Sequence, residues 1–193
     1  VSAGDRQLVR NAVAAYFGGT LQTSDAGVFY QGGPLASAGL GTAYPYLIKG
    51  SAPDTAYTLG EAPGTGWGAV MTVHLGPVTN TRDSYGGATS GWRKRLYAVK
   101  CSLDVISYAE HLEGAEAPLD DLLNGIDALI YADRTLGTTS ATYAAQGGRL
   151  IIEAGEGRTG IVHGEPEWTT EADRGRGRGG IDYTFDVLTM VSA

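Results

Sequence analysis

The sequence predicts an α+β fold: an antiparallel or mixed sheet with two helices packed on one face and a long projecting hairpin. Three observations carry this. Residues 4–17 and 118–133 place apolar side chains at helical spacing. Residues 93–108 and 181–191 alternate apolar and polar side chains with the period of a strand. The order along the chain is helix, irregular region, strand, strand, helix, strand, strand.

The first helix carries Leu8, Val9, Ala12, Val13, Tyr16 and Phe17 as one apolar stripe, with Asp5 in its first turn and Gly18-Gly19 to end it. Residues 18–68 read as a loose, loop-rich part of a single domain spanning 1–193, with short extended pieces at Val28–Tyr30 and Tyr46–Ile48. Met71, Val73 and Leu75 alternate into a strand, and Thr79 to Trp92 is its polar hairpin tip. The strongest strand follows. It puts Tyr97, Val99, Cys101, Leu103 and Val105 on one face and Arg95, Leu96, Lys100, Ser102 and Asp104 around the other, and it is long enough to project at its Arg93 end.

Pro118 is placed in the first turn of the second helix, where its missing N–H costs nothing, with Asp120 and Asp121 beside it to suit the helix dipole. Gly125 inside that helix costs about 1 kcal/mol relative to alanine, which close packing on the sheet would explain. Thr138 to Gly148 is a polar linker, Leu150–Ile152 a short buried strand, Gly160–Gly164 its continuation, and Ile181–Val191 the last strand. The predicted sheet core is Tyr97, Val99, Leu103, Val105, Ile151, Tyr183, Phe185 and Val187, covered by Leu122, Leu123, Ile126 and Leu129.

A chain of 193 residues can bury about 70% of its unfolded surface without a covalent staple. The single cysteine, Cys101, excludes an internal disulfide framework and a cysteine zinc cluster, and reads as a buried, inert thiol. No apolar run reaches the roughly 18 residues of a membrane span, and the first residues show no signal-peptide pattern, so the expectation is a soluble chain in a reducing compartment. The net charge of −7 argues against a general nucleic-acid binder. Thirty glycines, and only Lys49, Lys94 and Lys100 among 14 basic residues, are the bias of a GC-rich coding sequence.

Apparent motifs dissolve on inspection. Gly155–Gly160 matches G-x-G-x-x-G, but Ile161–Pro166 cannot form the helix whose N-terminus a dinucleotide needs, so a hairpin turn is the better reading. His74, His111 and His163 have no metal-ligand spacing, and no nucleophile elbow or phosphate-loop lysine is present. Glu110, Glu113 and Glu116 read as a solvated rim. No catalytic, cofactor-binding or metal residue is assigned.

The positive charge is uneven. Arg93, Lys94 and Arg95 form one cluster, and Arg174, Arg176 and Arg178 another, in a glycine-rich loop read as a mobile cationic finger. With Trp92 these are the candidate assembly-interface residues. Contact with another subunit, the lining of a DNA channel and a plain solvated loop all account for the finger. Trp67, Trp92 and Trp168 lie near strand ends, as core plugs or interface anchors.

The helix Asp5–Phe17, the strand Leu96–Val105, the helix Pro118–Ile130 with its Arg134-Thr-Leu-Gly137 exit, and the aromatic strand Ile181–Met190 together resemble the tail terminator (tail completion) proteins of long-tailed bacteriophages, the lambda-like family. Residues 18–68 depart from the compact members of that family. The resemblance implies a structural virion protein without catalytic residues or cofactor. Usually six copies form a ring that caps the tail tube, ends its polymerisation and joins the tail to the head-side connector. The implied partners are the chain itself, the tail-tube protein and the head–tail connector protein, with DNA passing through the lumen and no membrane. The implied location is the head-proximal end of the virion tail, after assembly in the host cytoplasm. The alternatives are another head–tail connector or a tail-tube subunit, and a nucleic-acid-binding module using the Arg-Gly loop.

Overall fold

The computed structural model describes residues 4–24, 27–48, 56–57, 66–82, 92–108, 113–140, 143, 149–156 and 160–192. It is an α+β fold dominated by its sheet. Helix α1 (Gly4–Gly18) leads into the hairpin β1 (Gly19–Ser24) and β2 (Gly27–Gly32), then β3 (Leu40–Tyr44), β4 (Trp67–Arg82) and β5 (Trp92–Ser107). Helix α2 (Glu113–Ala132) follows, then β6 (Ile151–Ala154), β7 (Val162–His163), β8 (Glu167–Glu171) and β9 (Arg176–Ser192). The sheet runs β1-β2-β3-β4-β5-β9-β6, with β7 and β8 also on β9. Among the described strands only β3 and β4 pair in parallel, which makes the sheet mixed.

Strand β9 organises the sheet. One edge pairs with β5 from Gly177 opposite Ser107 to Ser192 opposite Trp92. Its other edge is covered in succession by β8, β7 and β6. Strands β4 and β5 stay paired out to Arg82 opposite Arg93, so the long hairpin carries β9 as a third strand along its length. The pairing shifts between Leu75 and Val78, where Gly76 and Pro77 form a bulge. A bulge is where a strand tolerates a proline, and the carbonyls it frees need donors. Arg6 of α1 supplies them, donating to Leu75 O at 2.8 Å and to Gly76 O at 3.3 Å.

Both helices cover one face. Val9, Val13 and Phe17 of α1 and Leu122, Ile126 and Ile130 of α2 share one core with Val99, Leu103, Tyr183, Phe185 and Val187. Burying each such side chain contributes roughly 1.5–3 kcal/mol. Phe17 meets Phe185 edge-on at 6.3 Å, and Tyr16 Oη donates to Leu129 O at 2.7 Å, tying the helices together. Chain entry into β1 depends on Gly19, whose φ of 93° and closeness to Gly33 leave no place for a side chain. Every expected core residue is buried except Leu129, which packs at the rim. Cys101 is fully buried, and burial pushes its thiol pKa well up.

Several boundaries differ from the sequence reading. The described part of residues 18–68 contains three whole strands and the start of β4. The piece at Val28–Tyr30 lies in β2, but the next strand is Leu40–Tyr44, not Tyr46–Ile48. All five residues of β3 are buried, so no alternation marks it. Helix α2 begins at Glu113, which puts Pro118 inside it. The ring there forgoes one hydrogen bond, to the Gly114 carbonyl. Gly125 faces a turn instead of the sheet: a Cβ there would meet Leu35 Cδ2 at 3.0 Å. Strand β9 starts at Arg176, five residues before the predicted Ile181, and β8 was not anticipated. His111 and Glu110 lie outside the described residues.

Candidate assembly interface

The arginine finger is a strand. Hairpin β8–β9 turns through a 3-10 segment, Ala172–Arg174, with Gly175 left-handed, and pairing resumes with Glu171 opposite Arg176. The alternation in Arg176-Gly-Arg-Gly179 is therefore the period of β9 itself. Arginines point to the face away from the helices, and glycines to the core side. Gly179 makes room for Trp168, since a Cβ there would sit 2.6 Å from its Cε3. Trp168 and Trp67 both pack against the helix-covered core and act as plugs.

Two of the three finger arginines are engaged within the chain. The Arg176 side chain is 3% exposed, and its Nε donates to Glu171 Oε2 at 2.7 Å. Arg178 binds Asp104 of β5 with two bonds, Nε to Oδ1 at 3.0 Å and Nη2 to Oδ2 at 2.5 Å. The bonds from Arg178 to Asp104 raise the guanidinium pKa further. Tyr57 Oη donates to the same carboxylate at 2.6 Å, and burial with that bond drives its phenol pKa up. The arrangement clamps β5, β8, β9 and the segment at 56–57 together. This corrects the reading of a mobile finger reaching from the body. Arg174 alone of the three is exposed at the turn, with no ion pair among the described residues.

The second cluster also divides. Arg95 lies on the core side with Tyr97 and is 5% exposed, which corrects its expected placement on the opposite face. Lys94 is half-buried, and both it and Arg95 have interaction partners. The backbone of Trp92 and Arg93 opens β5, while their side chains lie outside what is described. The five candidates with described side chains, Lys94, Arg95, Arg174, Arg176 and Arg178, thus do not converge on one surface patch.

The register does bring polar residues together on the uncovered face, a site the sequence reading missed. Thr72 stands opposite Ser102, His74 opposite Lys100, and Ser102 opposite Asp182. Lys100 Nζ lies 2.6 Å from Asp182 Oδ2, and Ser102 Oγ donates to Asp182 Oδ1 at 2.8 Å. Burial works to raise the Asp182 carboxyl pKa, but the bonds from Lys100 and Ser102 together outweigh it and hold the value below the ordinary one. Burial, helped by the Lys100 cation, lowers the His74 pKa. Of these, Thr72, Ser102 and Asp182 floor a groove of about 710 Å³ between Leu47-Ile48 and the segment 164–167. The polar half of each strand's alternation was visible in the sequence; the pairing that assembles the halves was not.

On the other side of the sheet, Asp127 of α2 accepts from Tyr183 Oη at 2.6 Å and lies 3.2 Å from His163 Nε2, which fastens β7 and β9 to the helix. Residues Ile161–Pro166 carry β7 where a dinucleotide fingerprint would need a helix. Among the described residues no group of three or more His, Cys, Asp or Glu side chains could hold a metal ion, and no helix is long and apolar enough to cross a membrane. No protein-family model matches the chain, and no curated protein is similar to it at a significant level.

Proposed function

We propose that the chain is a structural subunit of a long-tailed phage virion. Copies of it close into a ring that caps the tail tube, ends its polymerisation and meets the head-side connector, as the tail terminator resemblance implies. The observation that carries self-assembly is the sheet's open ends. Strand β1, Gly-Thr-Leu-Gln-Thr-Ser, is uncharged and pairs only with β2 among the described residues, and Leu21 is 55% exposed. Sheets usually guard an edge with charge, proline, a bulge or a cover. Among the described residues this edge has none of these, which suits pairing with another strand. At the far end, β8 leaves its outer side unpaired among the described residues. The β1 edge of one copy against the β8 side of the next makes a head-to-tail contact, and such contacts generate rings when the rotation closes.

The proposal assigns the chain no reaction and no cofactor. A nucleic-acid reading loses support because Arg176 and Arg178 already hold carboxylates. Mass photometry of the chain, with and without tail-tube protein, tests the proposal alongside electron microscopy of the tubes. Expected are ring-sized particles or tubes capped at one end, both abolished by Leu21→Lys while the monomer stays folded. Monomers alone under both conditions overturn it, and tubes of unlimited length from the chain alone identify a tube subunit instead.

A further inference from the structure

The groove on the uncovered face is built from five separate stretches of chain. Its floor is Val70 and Thr72 of β4, Ser102 and Asp104 of β5, and Gly180 and Asp182 of β9. One wall is apolar, with Ile48 and with Leu47 at 71% exposure. The other wall is the segment 164–167 with Glu165 and Glu167, both exposed and without an ion pair among the described residues. The segment is held in place by Gly164 N donating to Asp182 O at 2.7 Å and by Glu167 pairing opposite Gly180. The volume, about 710 Å³, falls within the range of roughly 300–1,000 Å³ that ligand sites occupy.

Four carboxylates line this groove, and among the described residues no cation does. Lys100 and Arg178 neutralise Asp182 and Asp104 from its margins, so Glu165 and Glu167 supply the uncompensated charge. An acidic wall facing an apolar wall across a hydroxyl-bearing floor selects an occupant with a cation on one side and an aliphatic group on the other. We propose that the groove binds an extended segment of a different protein in which lysine or arginine alternates with aliphatic residues. Alternation in an extended chain sends successive side chains to opposite sides, which matches the two walls. A second copy of this chain is the poorer occupant: it brings a net charge of −7, and Arg176 and Arg178 are already paired. The inference stands apart from the ring, since the groove opens on the face of the sheet and the ring contact uses its edges.

The test is titration of the full chain, followed by amide NMR, with an acetylated and amidated hexapeptide alternating lysine and leucine. The expected result is saturable shifts at Thr72, Ser102, Glu165 and Glu167. Affinity should fall about 5–10-fold between 50 and 300 mM salt, and by a similar factor in Glu165→Gln/Glu167→Gln, because exposed charge attraction is screened. Leu47→Ala should weaken binding separately from the salt effect. Equal affinity in the double glutamine variant, shifts confined to other surfaces, or equal binding of the peptide with glutamate in place of lysine would each overturn the proposal. Binding of acetyl-lysine amide as tight as that of the hexapeptide would reduce the groove to a single-cation pocket and defeat the peptide reading.

Discussion

The two faces of the sheet are built from the same strands, and they are stabilised in different ways. The face under α1 and α2 is mainly hydrocarbon: Met71, Val73, Val99, Leu103, Phe185 and Val187 are buried, and their contribution is area removed from water. The opposite face has one small apolar cluster, Tyr44, Ala56, Tyr57, Val70 and Ile106, and otherwise relies on directional pairs such as Arg178 with Asp104. Removing atoms from the first face leaves a hole, whereas removing them from the second leaves an unpaired charge. The first face therefore sets most of the stability, and the second holds strand ends and surface segments in position.

The largest expected effect is on the helix-covered face. Ile126 is fully buried between α2 and the sheet, and Ile126→Ala should cost about 2–5 kcal/mol in urea unfolding. A loss below about 1 kcal/mol would show that the helix packs loosely and break the comparison. Next is Gly179→Ala, where the added methyl must displace Trp168 on a strand that cannot easily retreat. Overpacking of this kind costs about 1–3 kcal/mol, and a shift in tryptophan fluorescence should accompany it.

On the other face, Arg178→Ser removes two bonds to a carboxylate that Tyr57 then shares alone. Arg178 and Asp104 are about one-third exposed, so solvent screens the pair and the loss should be only about 1 kcal/mol. A double-mutant cycle with Asp104→Asn measures the coupling, and a zero result would leave this face without an electrostatic clamp.

The smallest effect is on acid stability. Hydrogen bonds from Thr135 and Gly137 hold the Asp133 carboxyl pKa below its ordinary value, led by the Thr135 hydroxyl and opposed by burial. The bonds to Lys100 and Ser102 do the same for Asp182. A lowered folded-state value means the stabilisation is fully present above about pH 4. It is lost as pH falls through the lowered values, when both states become protonated. Asp133→Asn should therefore make the acid limb of a stability–pH curve shallower, and an unchanged limb would exclude it as a contributor.

The helix-covered face was legible in the sequence because its signal is local. Period 2 in Tyr97–Val105 and period 3.6 in Leu119–Ile130 state which side is apolar, and only one apolar partner of matching size existed for each. Strand β3 was not legible, because burial on both faces removes the alternation that would mark it. The arginine strand misled for a different reason. Glycine at every second position reads as flexibility, yet these residues are paired strand, and Gly179 answers a steric demand from Trp168, which is opposite in register. The groove needed the pairing of β4 with β5 and of β5 with β9, and register is a non-local property that no single segment contains.

The position of β9 in the middle of the sheet also constrains how the chain can fold. It comes ninth of nine strands yet lies between β5 and the short strands β6, β7 and β8. Until it is in place, β5 presents a bare ladder, and α2 has no Phe185 or Val187 to settle on. Synthesis adds about 5–20 residues per second, so the half-sheet β1–β5 spends seconds on the ribosome with an unsatisfied edge beside a strongly apolar strand. Such a nascent chain is exposed to wrong pairing, and the many contacts distant in sequence place its folding toward the slow end, milliseconds to seconds, of small-domain rates.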